Sequence, residues 1–99
     1  MTDAEQNSYQ MSCSYESERW SGHWIKSDWS DWMETADNWQ DAAQKGIDGI
    51  APVGSKSGLY QVLSETPSGE GRSGIIDIQF DPPRLWRRAK VRANIIEDN

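Results

Sequence analysis

The sequence predicts an α+β domain: a small antiparallel sheet with elements in the order strand, strand, helix, strand, strand, strand, and the one helix packed on one face. Three observations predict it. Apolar residues alternate with polar ones early and late in the chain, one central stretch switches to helical spacing, and breaks rich in glycine and proline divide the late segment into three.

The first strand is "SYQMSCSY", where Tyr9, Met11, Cys13 and Tyr15 occupy every second position, the period of a half-buried strand. "ERWSGHWIK" follows, with Trp20, Gly22 and Trp24 on one side, and is expected to fold back on the first strand as an antiparallel hairpin. The period then changes. In "DNWQDAAQKGIDGI", Trp39, Ala43, Ile47 and Ile50 form one stripe of a helix near 38–50, with Asp37 and Gln40 as a capping box and Pro52 and Gly54 as the stop. "GLYQVLSE", "GIIDIQFD" and "RRAKVRANII" read as three further strands, the last two turning Ile76, Ile78 and Phe80, and Ala89, Val91, Ala93 and Ile95, to one side. "TPSGEGRSG" is expected to be a mobile hairpin loop, and "DPPR" an extended link.

A chain of 99 residues suits one domain, placed at 8–97 with a disordered tail at 1–7. Only fifteen residues are Leu, Ile, Val or Phe, and the net charge is −6, a combination poor in apolar burial. The six Trp and three Tyr are the compensating source, since each buried aromatic removes ~150–250 Å² from water. Trp20, Trp24 and Trp39 are therefore assigned to the core. Fourteen of the fifteen aliphatic or Phe residues follow position 46, whereas five of the six Trp precede position 40, so the core is expected to be aromatic at one end and aliphatic at the other.

Trp29 and Trp32 stand apart in "SDWSDWME", flanked by Asp28, Asp31 and Glu34. An early helix there would bring Trp29, Trp32, Met33 and Ala36 to one face as a lid over the core. Alternatively an exposed indole within an acidic ring suits a partner offering a basic rim around an apolar pocket. Trp29, Trp32, Asp28, Asp31 and Glu34 are thus the candidate partner-binding residues. Residues 1–50 carry ten acids and three bases, against six acids and seven bases in 51–99, an asymmetry that steers association with basic partners. A second patch, Arg84, Arg87, Arg88, Lys90 and Arg92, has the charge to meet phosphates beside Trp86. The bland reading is that it pairs with acids across the sheet or guards an edge strand. Direct nucleic-acid binding is not expected of a chain this acidic.

No catalytic residues, cofactor or metal site are predicted. His23 is the only histidine and Cys13 the only cysteine, so no paired-ligand spacing exists, and Cys13 lies on the inward face of its strand. A lone cysteine favours a reducing compartment and hence a cytoplasmic location, and no apolar run is long enough for a membrane span.

From Tyr9 to Ile47, with strands leading into "TADNWQDAAQKGI", the layout resembles that of HicB-type antitoxins, small acidic proteins whose helix opens with a Thr and an Ala-rich first turn. The resemblance covers well under half of the chain. The family's Pro-Asp-Leu-Pro-Gly stretch is missing, and "SGLYQVLSE" continues as strand where a DNA-binding segment would stand. What it implies is a stoichiometric protein inhibitor. The functional expectation is therefore a non-enzymatic acidic protein-binding module, monomeric or homodimeric. It would serve as an inhibitor, immunity or adaptor protein of phage or mobile-element type that occludes a basic surface. The alternatives are a carbohydrate or small-ligand module using Trp stacking, and a structural subunit of a larger assembly.

Overall fold

The computed structural model describes residues 6–18, 22, 24–27 and 29–96, without the side chains of Glu18 and Trp24. The elements are β1 (Asn7–Glu18), β2 (Trp24–Lys26), β3 (Ser30–Ala36), α1 (Trp39–Gly54), β4 (Ser55–Ser68), β5 (Ser73–Pro83) and β6 (Arg88–Ile96). All six strands join one antiparallel sheet in the order β2-β1-β6-β5-β4, with β3 also paired to β1. The fold is α+β, a mostly stranded sheet with one helix across a face.

The expected hairpin is present as β1 and β2, paired from Glu16↔Lys26 to Glu18↔Trp24. Trp20, His23 and the side chain of Trp24 lie outside the described residues. β2 and β3 run along the same side of β1, because the other side of β1 is taken by β6 from Ser8 to Glu16. Their registers differ by one residue: Glu16 meets Lys26, whereas Cys13 meets Ser30, so three positions oppose Ser14 and Tyr15. This is a bulge. Ser27 bridges it, its N–H donating to the Tyr15 carbonyl at 2.8 Å while its Oγ accepts from the Tyr15 N–H at 2.9 Å.

The segment read as an early helix is the strand β3. Its apolar residues follow the helical spacing and split between two faces as a strand, but the open edge of β1 overrides that local period: seven residues from Asn7 to Cys13 pair with β3. Six strands therefore form where five were expected.

The helix begins one residue later than the capping box implied. Asn38 is the N-cap, extended at φ −153° and ψ 172°, and its Oδ1 accepts from the Asp41 N–H at 2.8 Å. At the other end Pro52 lies inside the last turn and the helix runs to Gly54, where the Ser55 N–H donates to the Ala51 carbonyl. Without an N–H, Pro52 cannot donate to the Asp48 carbonyl four residues back, and the helix ends two residues later. The expected stripe is correct: Trp39, Ala43 and Ile47 are buried and Ile50 packs at the rim.

The helix carries the chain from the β3 edge of the sheet to the β4 edge. Four interstrand spacings of ~4.8 Å make roughly 19 Å, and 16 residues at ~1.5 Å each make about 24 Å, so one helix suffices. β4, β5 and β6 then return as a meander, and β6 closes against β1 over nine residue pairs. The anticipated long loop is mostly strand, since pairing continues to Ser68↔Ser73 and only 69–72 turn. Pro67 is tolerated in β4 because that strand is at the edge.

The core joins Tyr9, Met11 and Cys13 of β1, Ile76, Ile78 and Phe80 of β5, Ala89, Val91 and Ala93 of β6, and Trp39, Ala43 and Ile47 of α1. It is less an indole core than composition implied: of the Trp side chains described, only Trp39 is fully buried, while Trp32 and Trp86 are part-buried and Trp29 is exposed. Trp39 reaches its place because β5 is bare opposite it. A Cβ on Gly74 would stand 2.6 Å from the indole ring.

Gly74→Ala should therefore destabilise by ~1–3 kcal/mol or more through overpacking, whereas Gly49→Ala, a helical position with nothing within 4 Å, should gain up to about 1 kcal/mol. Urea denaturation of the two variants checks both signs. Burial pushes the Cys13 thiol from its ordinary 9.0 up to about 11, partly offset by its hydrogen bond with Tyr15. The folded state thus holds the proton more tightly than the unfolded chain, and the stabilisation this gives is complete below pH 9 and lost as pH rises towards 11. Denaturation midpoints should fall over that window, less steeply in Cys13→Ala, and a thiol reagent at neutral pH should label Cys13 only after unfolding.

Candidate functional site

β3 sets the geometry of the predicted site, because alternate residues of a strand point to opposite faces. Trp32 and Glu34 oppose Met11 and Tyr9, so they share the helix-bearing face. Asp31 opposes Ser12, which in turn opposes Arg92, so Asp31 belongs to the open face. Trp29, two residues before Asp31, is on the open face too, where the Arg92 guanidinium lies 4.6 Å from its ring centroid as a cation–π contact. The two indoles are therefore on opposite sides of the sheet. Asp28 lies outside the described residues.

Trp32 is wedged between β3 and the helix. A Cβ on Gly46 would come within 3.0 Å of its ring and 3.1 Å of Val91, so the glycine lets the helix sit down on the indole. What remains open is a groove of about 280 Å³ lined by Trp32, Glu34, Lys45, Gly46, Gly49 and Ile50. The Lys45 ammonium is committed to the Thr35 carbonyl at 2.6 Å, tying α1 to β3. Beside it a second groove of about 360 Å³ is lined by Ala36, Asp37, Asp41, Gln44, Lys45 and Asp48 with Gln6.

These two grooves extend the acidic surface beyond the residues picked from sequence. Asp37, Asp41 and Asp48 join Glu34, four carboxylates around Lys45 on the helix side, while Asp31 and the exposed thioether of Met33 stand on the open side. Asp41, Gln44 and Asp48 recur at helical spacing, a polar stripe visible in the sequence but attached to β3 only by the fold. The backbone of β3 itself pairs only with β1 among the described residues.

The basic stretch is divided. Arg84 closes the helix end, its N–H donating to the Gly54 carbonyl at 2.9 Å and its Nε to the Ser55 carbonyl at 3.2 Å. The Arg87 N–H donates to the Glu16 carbonyl. Arg88, Lys90 and Arg92 share the open face, opposite Glu16, Ser14 and Ser12 of β1. Lys90 lies 3.8 Å from Asp77, a part-exposed pair worth at most about 1 kcal/mol. Trp86 turns away from these cations and stacks on Tyr15 at 6.2 Å between centroids.

No protein-family model matches the chain, and neither does any curated protein or any solved structure. The site is accordingly read from its own chemistry. Among the described residues no group of three or more His, Cys, Asp and Glu is arranged to hold a metal ion, and no helix is long and apolar enough to cross a membrane.

The contact of Trp32 with Gly46 gives a double-mutant cycle. Gly46→Ala alone should cost ~1–3 kcal/mol through overpacking. In a Trp32→Ala background that penalty should shrink, with a coupling of about 1 kcal/mol, measured by chemical denaturation of the four proteins.

Proposed function

We propose that the chain is a non-enzymatic protein-binding module, of the inhibitor, immunity or adaptor kind, that covers a basic surface of a partner protein. The observation that carries this reading is the edge of β3, unpaired among the described residues, with its flanking side chains. On one side stand Trp29, Asp31 and Met33, and on the other Trp32 and Glu34 beside the helix carboxylates. Strand addition to such an edge supplies main-chain hydrogen bonds, while pockets on either face select the side chains. An aromatic and a thioether supply desolvated contact area, and the carboxylates accelerate encounter with a cationic surface and reject an acidic one.

The same geometry bears on a ligand-binding reading. Because Trp29 and Trp32 occupy opposite faces, no single sugar or planar ligand stacks on both rings. One ring of Trp29 is already covered by Arg92. Protein contact along an edge uses both faces at once, and this favours it.

The decisive comparison is between wild-type protein and the pair Asp31→Lys with Asp41→Lys, both exposed positions. Proteins retained from host lysate by the wild type should be lost or weakened by roughly tenfold, equivalent to ~1.4 kcal/mol, with unchanged circular dichroism. Retention should also decline as salt is raised, as for charge-steered encounter. A partner that binds both proteins equally at every salt concentration would place the contact elsewhere.

A further inference from the structure

The opposite edge of the sheet carries a different pattern. β4 is the last strand in the sheet order and pairs only with β5 among the described residues. It exposes Leu59, Val62 and Leu63, at 63%, 49% and 43%, although exposed edges are usually blunted by charge. The sequence there is "LYQVL", apolar residues placed symmetrically about Gln61.

The direction of the backbone groups follows from the ladder. The Phe80 N–H donates to the Arg87 carbonyl, so the polar groups of Phe80 face β6. Phe80 opposes Tyr60, which makes theirs a non-hydrogen-bonded pair and turns the N–H and C=O of Tyr60 outward. By the alternation of the strand, Val62 is outward too, and Gln61 inward against Gln79. Past the bulge at Leu63, the same rule turns Pro67 outward, where a residue without an N–H costs the ladder nothing.

We infer that β4 is a homodimerisation edge, on which a second copy of this chain adds antiparallel across a two-fold axis through Gln61. In that register Tyr60 and Val62 of one copy meet Val62 and Tyr60 of the other as two hydrogen-bonded pairs. Leu59 lies across the same axis from Leu63, the bulged residue of the strand. Every exposed apolar residue of the edge thus gains an apolar partner, which is the self-complementarity a two-fold interface requires. An unrelated partner has no reason to demand this palindrome, whereas a copy of the chain does. The dimer is one continuous sheet with a β3 edge at each end, so it is independent of the function proposed for β3 and leaves that surface uncovered twice.

Sedimentation equilibrium of the full chain should give a concentration-dependent mass approaching twice 11.3 kDa. Val62→Lys should remain monomeric with unchanged circular dichroism. Gln61→Cys tests the register directly: on the axis it meets itself in a non-hydrogen-bonded pair, with Cα atoms about 4.5 Å apart, inside the range a disulfide spans. It should yield a covalent dimer under mild oxidation, while Glu65→Cys, four residues from the axis, should not. A wild-type protein that stays monomeric up to its solubility limit overturns the inference. So does a dimer that survives Val62→Lys, or one in which Glu65→Cys crosslinks as readily as Gln61→Cys.

Discussion

The pairing of β1 with β6 is the constraint on which the other features rest. It joins the first long strand to the last, from Ser8↔Ile96 to Glu16↔Arg88, and places Met11 beside Ala93, Cys13 beside Val91 and Tyr15 beside Ala89. Alternating large and small residues across this seam leave a shallow trough under the helix. Ala89, Ala93 and Gly74 provide the room, and Trp39 and Ile47 fill it. Because the two partners are distant in sequence, their ladder forms only after considerable loop entropy has been lost, so β1–β6 pairing ties the whole chain into one unit.

Closing the sheet in its middle has a consequence for both margins. With β1, β6 and β5 each flanked on two sides, the free edges among the described residues belong to the three-residue β2 and to the segments adjoining the helix, β3 before it and β4 after it. The helix spans the face between them and cannot cover either edge fully. The edges differ chemically. β3 is short, carries carboxylates on and beside it, and ends against an acidic helix; β4 is 14 residues long and presents apolar side chains in a symmetric array. An acidic edge favours a cationic stranger and repels its own copy. The apolar palindrome does the reverse.

The open face shows how a sheet side without a helix stays closed to water. Ser12, Ser14 and Glu16 are nearly buried although no element among the described residues packs above them. The opposed side chains of Arg92, Lys90 and Arg88 account for this, since long cationic side chains lay their apolar stems across neighbours and keep the charge in solvent. Lys90 near Asp77 and Arg92 over Trp29 belong to the same arrangement. The cluster that sequence presents as one basic stretch is thereby split between helix-end capping by Arg84 and this covering role.

By itself the sequence determined what depends on local period. The α+β class, the stripe of Trp39, Ala43 and Ile47, and the inward faces of β1, β5 and β6 were legible because two-residue and 3.6-residue spacings record which side of an element is buried. It also marked the acidic half of the chain and the pair Asp31 and Glu34. Only the tertiary structure decided what depends on a neighbour. Trp29 to Ala36 carries a helical spacing, yet it is a strand because β1 offered an edge to pair with; that outcome sends Trp29 and Trp32 to opposite faces. The helix acids reach β3, and the "TPSGEGRSG" segment zips into strand, for the same reason. A backbone edge is satisfied by whatever segment lies beside it, and no residue carries the identity of its neighbour in its own local pattern.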